Sequence, residues 1–110
     1  MTENQRNEGQ TVVHFIVPPL KADLMRIWKS TFLQPDNTKK VSKMIMNHNI
    51  STFPKWTKIN TNKMNTFTLI FEGLPKECTA FDLIEDALED GGFHYKNIKR
   101  NFKDVYQIIL

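Results

Sequence analysis

The stretch TFTLIFEGLPKECTAFDLIEDALEDGGF, residues 66–93, decides the fold. Its first part alternates. Phe67, Leu69 and Phe71 fall on one side of an extended chain, and Thr68, Ile70 and Glu72 on the other, which is the period of a half-buried strand. Gly73-Leu74-Pro75 then turn the chain. Thr79 stands where a helix cap would, and Asp82, three residues on, is placed to return the bond to the cap backbone. Acids in a first helical turn favour the positive end of the helix dipole. Ala80, Phe81, Ile84, Ala87 and Leu88 make an apolar stripe, while Asp82, Glu85, Asp86, Glu89 and Asp90 face water. Gly91-Gly92 supply the left-handed stop. The spacing predicts a strand over 66–72 and a helix over 79–90, with Phe71, Ile84 and Leu88 buried together.

Outward from that unit, TVVHFIV (11–17) is β-branched and apolar, hence strand-like, and Pro18-Pro19 end it. Leu20, Leu24, Ile27 and Trp28 recur at helical spacing in 20–32. After the turn QPDN, a second helical stripe runs through Val41, Met44, Ile45 and His48, with Lys39, Lys40 and Lys43 beside it. Residues 50–59 read as extended, Pro54 favouring an edge strand. HYKNIKRNF and VYQIIL read as a hairpin turning at Lys103-Asp104. The order β-α-α-β-β-α-β-β predicts an α+β sandwich, a mainly antiparallel sheet with helices on one face.

The 110 residues suit one domain, spanning 11–110 behind a polar tail, 1–10, expected to be disordered. One cysteine, Cys78, leaves no internal disulfide framework and no cysteine-rich zinc site. No apolar run is long enough to cross a bilayer, and no secretory signal is read, so an intracellular setting, cytoplasm or nucleus, is expected. The net charge of +3 is unevenly spread. Nine basic residues face two acids between Lys21 and Lys63, and seven acids face one base between Glu72 and Asp90. Such polarity suits either a polyanion partner or mutual attraction of the two segments.

Asn49-Ile50, Phe53, Gly73-Leu74-Pro75, Asp82-Leu83-Ile84, Leu88 and Gly92-Phe93 together form a recognisable series. In these residues the chain resembles the Gag-like nucleic-acid-binding proteins of insect non-LTR retrotransposons, in the region before their zinc knuckles. The resemblance implies ferredoxin-like, RRM-like units: an abbreviated first unit over 11–60 and a second over 64–110. It also implies association with nucleic acid. Three departures stand out. The knuckles are absent, only Leu33 to Asn37 separate the first unit's two helices, and the second unit stops before its last helix and strand.

An RNA-recognition sheet stacks bases on aromatics of its open face. Here Ile70 stands where the first-strand aromatic belongs, and Val105 and Gln107 occupy the third-strand positions. That platform is missing, and Phe67, Phe71 and Phe81 are assigned to the core. Phe53 and Trp56 interleave with Lys55 and Lys58, a pattern suited to single-stranded nucleic acid. The candidate nucleic-acid-binding residues are Lys39, Lys40, Lys43, Lys55, Trp56, Lys58, Lys99 and Arg100, and weak binding of single-stranded RNA or DNA is expected through them. The alternative is a protein-interaction or self-assembly module, in which VYQIIL pairs with another copy or is covered by 50–58. Cys78 would sit at a helix start, where the dipole lowers a thiol pKa. His14, His48 and His94 lack companions at ligand spacing. No metal, cofactor or catalytic motif is read, and a non-enzymatic role is expected.

Overall fold

The computed structural model describes residues 9–86 and 92–110. These residues form strands and loops, with no helix among them. The strands are β1 (Gln10–Val17), β2 (Leu24–Met25), β3 (Phe32–Pro35), β4 (Ser42–His48), β5 (Thr57–Lys58), β6 (Asn65–Glu72), β7 (Ala80–Ile84), β8 (His94–Lys99) and β9 (Val105–Ile109). Seven build one curled sheet in the order β8-β7-β3-β4-β6-β1-β9, and β2 and β5 make a separate ribbon. The pairings between these strands are antiparallel except that of β1 with β9.

The expected α+β, ferredoxin-like and RRM-like sandwich is therefore corrected to an all-β half-barrel. Each supposed helix fails for a local reason. In 80–84 the true period is two: Phe81 and Leu83 are buried, while Asp82 and Ile84 lie on the other face. Thr79 caps no helix; its hydroxyl donates to Asp36 Oδ2 (2.6 Å) and its N–H to Asp36 Oδ1 (3.2 Å). The Asp82 carboxylate accepts the Asn97 N–H (2.9 Å) and meets His94 Nε2 (2.8 Å). Those bonds, the Asn97 bond first, hold its pKa below the usual range. Ala87, Leu88, Glu89, Asp90 and Gly91 lie outside the described residues.

In 42–48 a β-bulge imitates a helix. Met44 opposes Phe71 and Met46 opposes Ile70, so Ile45 is an extra residue and the alternation changes phase. Met44 packs on the core while Met46 is exposed. In 20–32, Met25 and Ile27 turn inward and Leu24, Arg26 and Trp28 outward, again a period of two. The two C-terminal strands are extended as expected but form no hairpin, because β8 pairs with β7 and β9 with β1.

The curl follows from chain length. β8 and β9 are the two edges of the sheet, yet only residues 100–104 join them. Six Cα steps from Lys99 to Val105 reach at most about 22 Å, whereas a flat sheet of this size would hold its edges about 29 Å apart. The sheet must bend. Across its concave side Phe81 of β7 meets Tyr106 of β9 edge-on, with centroids 4.9 Å apart. Val13, Phe15, Val17, Leu33, Leu69 and Phe71 fill that side. Phe67, Phe71 and Phe81 are in the core, as assigned from the sequence.

Where the edges converge, Arg100 and Asp104 form a bidentate ion pair, with Nε–Oδ1 and Nη2–Oδ2 both at 3.0 Å. Their side chains are only 4% and 3% exposed. The Arg100 guanidinium also donates to the Pro75 and Cys78 carbonyls, and the Tyr106 hydroxyl donates to Asp104 Oδ1. Burial alone would lower the Arg100 pKa; the hydrogen bonds and charge of Asp104 leave it raised instead.

Leu20 breaks a local rule. It sits in a turn closed by Lys21 N–H on the Pro18 carbonyl, with a φ of 66° and 81% of its surface exposed. A left-handed leucine is sterically costly. Leu20→Gly should raise stability by about 1 kcal/mol or less, since the strain it relieves is partly offset by glycine's greater loss of backbone entropy on folding. Urea unfolding checks it, and a destabilised variant would mean that Leu20 makes contacts which outweigh its strain.

Candidate functional site

The ribbon lies at the end of the half-barrel where β1 finishes and β3 begins. Segments 20–25 and 57–61 run antiparallel, tied by Leu20 N–H to the Thr61 carbonyl (2.9 Å) and Ile59 N–H to the Asp23 carbonyl (2.8 Å). Further along, Ile27 N–H donates to the Ser51 carbonyl and Phe53 N–H to the Ile27 carbonyl, both at 2.9 Å. Ile27, Ile50 and Ile59 are buried and anchor the ribbon on the core. Alternation then forces Arg26 and Trp28 to the opposite side.

On that outer side the rings stack. Trp28 lies on Phe53 with centroids 4.1 Å apart and planes 14° from parallel. The Arg26 guanidinium lies 4.6 Å from the Phe53 centroid and 3.8 Å from that of Trp56. The order is Trp28, Phe53, Arg26, Trp56. Arg26 also donates to the Pro54 carbonyl (3.2 Å), across the cis Phe53–Pro54 bond. Cation–π contacts at such exposed sites contribute about 0.5–1 kcal/mol each. Trp28 is fixed from behind: its backbone N–H donates to Glu85 Oε2 (3.1 Å) and its backbone carbonyl accepts the Thr31 hydroxyl (2.6 Å). Burial pushes the Glu85 pKa up. Trp56, at the open end of the ladder, is 53% exposed.

Charge gathers on the same ribbon. Residues 18–31 and 49–64 carry Lys21, Arg26, Lys29, Lys55, Lys58 and Lys63 against one acid, Asp23. All five lysines are exposed. Of the residues singled out from the sequence, Lys55, Trp56 and Lys58 are thus brought together.

The others are not part of this cluster. Lys39 and Lys40 lie in the turn between β3 and β4, and Lys99 ends β8 opposite Ala80. Asp36 N–H donates to the Ala80 carbonyl, which places that turn and Lys99 at the far end of the half-barrel from the ribbon. Lys39, Lys40 and Lys99 thus lie at the opposite end from Lys55, Trp56 and Lys58. Lys43 is exposed on β4, with its backbone N–H held by Glu72 Oε1 (3.0 Å). Arg100 is inside, spent on Asp104, and unable to reach a ligand. Beside Lys40 an open groove of about 580 Å³ carries mixed charge from Lys40, Glu72 and Glu77.

Cys78 begins no helix. It is buried, its thiol donates to the Ala80 carbonyl (3.1 Å), and burial raises its pKa rather than lowering it. His14 and His48 are exposed and share a row across β1, β6 and β4, with His14 Nδ1 2.8 Å from the Thr68 hydroxyl. Among the described residues, no three or more His, Cys, Asp or Glu side chains gather to hold a metal ion. No helix among them is long and apolar enough to cross a membrane.

Sequence reasoning missed Arg26 and Trp28. Their signal was the alternation Leu24, Arg26, Trp28, hidden because Leu20, Leu24, Ile27 and Trp28 also match a helical stripe. Comparison with known proteins finds no similar family model, no similar curated protein and no similar solved structure.

Proposed function

We propose that this chain binds single-stranded nucleic acid through the ribbon, with one unpaired base on Trp56 and flanking phosphates near Lys55, Lys58 and Lys21. The ladder supports this reading. It holds an indole firmly at the surface, in the most basic part of the chain, with Arg26 behind it. Stacking on an aromatic face tolerates any base and contributes about 1–3 kcal/mol per base. A stiff, pre-set indole loses little freedom when a base lands on it. One available ring means one stacked base, so affinity is weak and mainly electrostatic. Nucleic-acid association is also what the Gag-like resemblance implies; here it rests on the ribbon's chemistry, without a ferredoxin-like platform. A binding role without catalysis is proposed with it, since the lone thiol is buried and its pKa raised.

Fluorescence anisotropy of a labelled oligothymidylate, titrated at low salt, tests the reading. Trp56→Ala should weaken binding by about 5- to 150-fold, the equivalent of one stacked base. Lys55→Glu with Lys58→Glu should flatten the salt dependence by about 0.7 in slope for each phosphate no longer neutralised. Lys39→Glu with Lys40→Glu, at the far end, should change affinity much less. Absence of binding to the unsubstituted protein, or equal losses from both lysine pairs, would overturn it.

A further inference from the structure

We propose that β9 is the contact strand of a symmetric dimer, in which a second copy of this chain adds its own β9 antiparallel to the free edge. The ladder with β1 decides which backbone groups face outward. Val12 N–H donates to the Asp104 carbonyl and Leu110 N–H to the Ile16 carbonyl, both at 2.9 Å. Even-numbered residues of this segment therefore turn their backbone toward β1. Val105, Gln107 and Ile109 turn theirs away. The Val105 carbonyl is taken by Asn101 Nδ2 (2.8 Å), but the Gln107 and Ile109 backbone groups find no partner among the described residues. The 50–58 segment, which the sequence suggested might cover this strand, belongs to the ribbon instead.

The two sheet edges are treated differently. β8 carries exposed Lys96 and Lys99, a common protection against unwanted pairing. β9 carries no charge, and Val105 and Ile109 are 43% and 65% exposed. Its chemistry is also self-complementary. Centred on Gln107, an antiparallel pair puts Gln107 opposite Gln107 of the second copy and Val105 opposite its Ile109. All of these have outward-turned backbones, so the Gln107 couple is in register to exchange both hydrogen bonds and each Val105 N–H to reach the Ile109 carbonyl of the other copy. No like charges meet. The outer-face row Met46, Ile70, Val12, Val105 would run on into Ile109 and Ile16 of the second copy. An apolar stripe broken at the edge becomes continuous across the two-fold axis, as an isologous interface requires.

Light scattering after size exclusion should show a dimer that dissociates on dilution, and Ile109→Lys should give a monomer with an unchanged circular dichroism spectrum. Cysteine placement tests the register. Gln107→Cys should form a disulfide-linked dimer under mild oxidation, because facing residues in such a pair are about 5.5 Å apart. Val105→Cys or Ile109→Cys alone should not, while an equal mixture of the two should. The buried Cys78 makes the unsubstituted chain the control. A monomer throughout the concentration series, a dimer that survives Ile109→Lys, or cross-linking of Val105→Cys with itself would each overturn the proposal. Oligonucleotide binding by a monomeric Ile109→Lys variant separates this result from that for the ribbon.

Discussion

Asp104→Ala should lower the free energy of unfolding by about 3–5 kcal/mol, because it strands the Arg100 guanidinium in the interior without its counter-charge. Few domains of this size have more than about 5–15 kcal/mol to lose. The damage extends beyond one ion pair. Asp104 Oδ1 also accepts the Tyr106 hydroxyl (2.9 Å), a bond lost together with the carboxylate. Tyr106 in turn packs edge-on against Phe81 across the concave face. Removing the carboxylate therefore loosens the place where the two sheet edges are drawn together. Arg100→Met with Asp104→Leu should restore part of the loss, since an apolar pair leaves no buried charge. Urea unfolding followed by fluorescence measures both. A loss under about 1 kcal/mol for Asp104→Ala would mean that this pair is not what holds the edges.

Phe15→Ala should be nearly as damaging, at about 3–5 kcal/mol, from lost transfer energy and the cavity left behind. Phe15 is fully buried and stacks on Phe67 with centroids 4.7 Å apart and planes 9° from parallel. It also lies 6.0 Å from Phe93, which leads into β8. Phe15, on the strand next to β9, thus joins one side of the sheet to its opposite edge through the interior. Phe15→Leu should lose less, because most of the volume is kept. Comparison of the two midpoints in thermal unfolding checks the cavity term. Equal losses would place the effect in the aromatic stacking instead.

The strands with clean alternation were legible. Residues 11–17 and 66–72 show their inward faces directly, but the turn after Glu72 falls at Lys76-Glu77, closed by Cys78 N–H on the Pro75 carbonyl, and not at Gly73-Leu74-Pro75. Residues 94–109 were correctly read as two strands, but not as a hairpin, because no local signal says that β9 seeks β1 at the other end of the chain. Ile45 inserts one residue and so converts an alternating pattern into a false helical stripe. Phe81 and Leu83 satisfy period two as readily as Phe81 and Ile84 satisfy a helix, and so short a segment cannot decide between them. The site was half visible. Lys55, Trp56 and Lys58 stood out by type, whereas Arg26 and Trp28 were hidden by the same ambiguity of period. Arg100 looked like a ligand-facing base because its partner Asp104 neutralises it only once the edges have closed.

The parallel pairing of β1 with β9 also bears on how the chain reaches its fold. Val12 and Val105 meet across 93 steps along the sequence (105 minus 12). Contacts this distant make folding slow, since the loop must close before any of them contributes. On a ribosome, the interval between completion of β6 at Glu72 and arrival of Leu110 is 38 residues (110 minus 72), or about 2–8 s at ordinary elongation rates. Through that interval the edge of β1 that will receive β9 is unsatisfied, and Phe15 and Val17 have only part of their cover. A nascent chain in that state exposes an unpaired strand edge, and pausing of translation before residue 105 should increase its capture by chaperones.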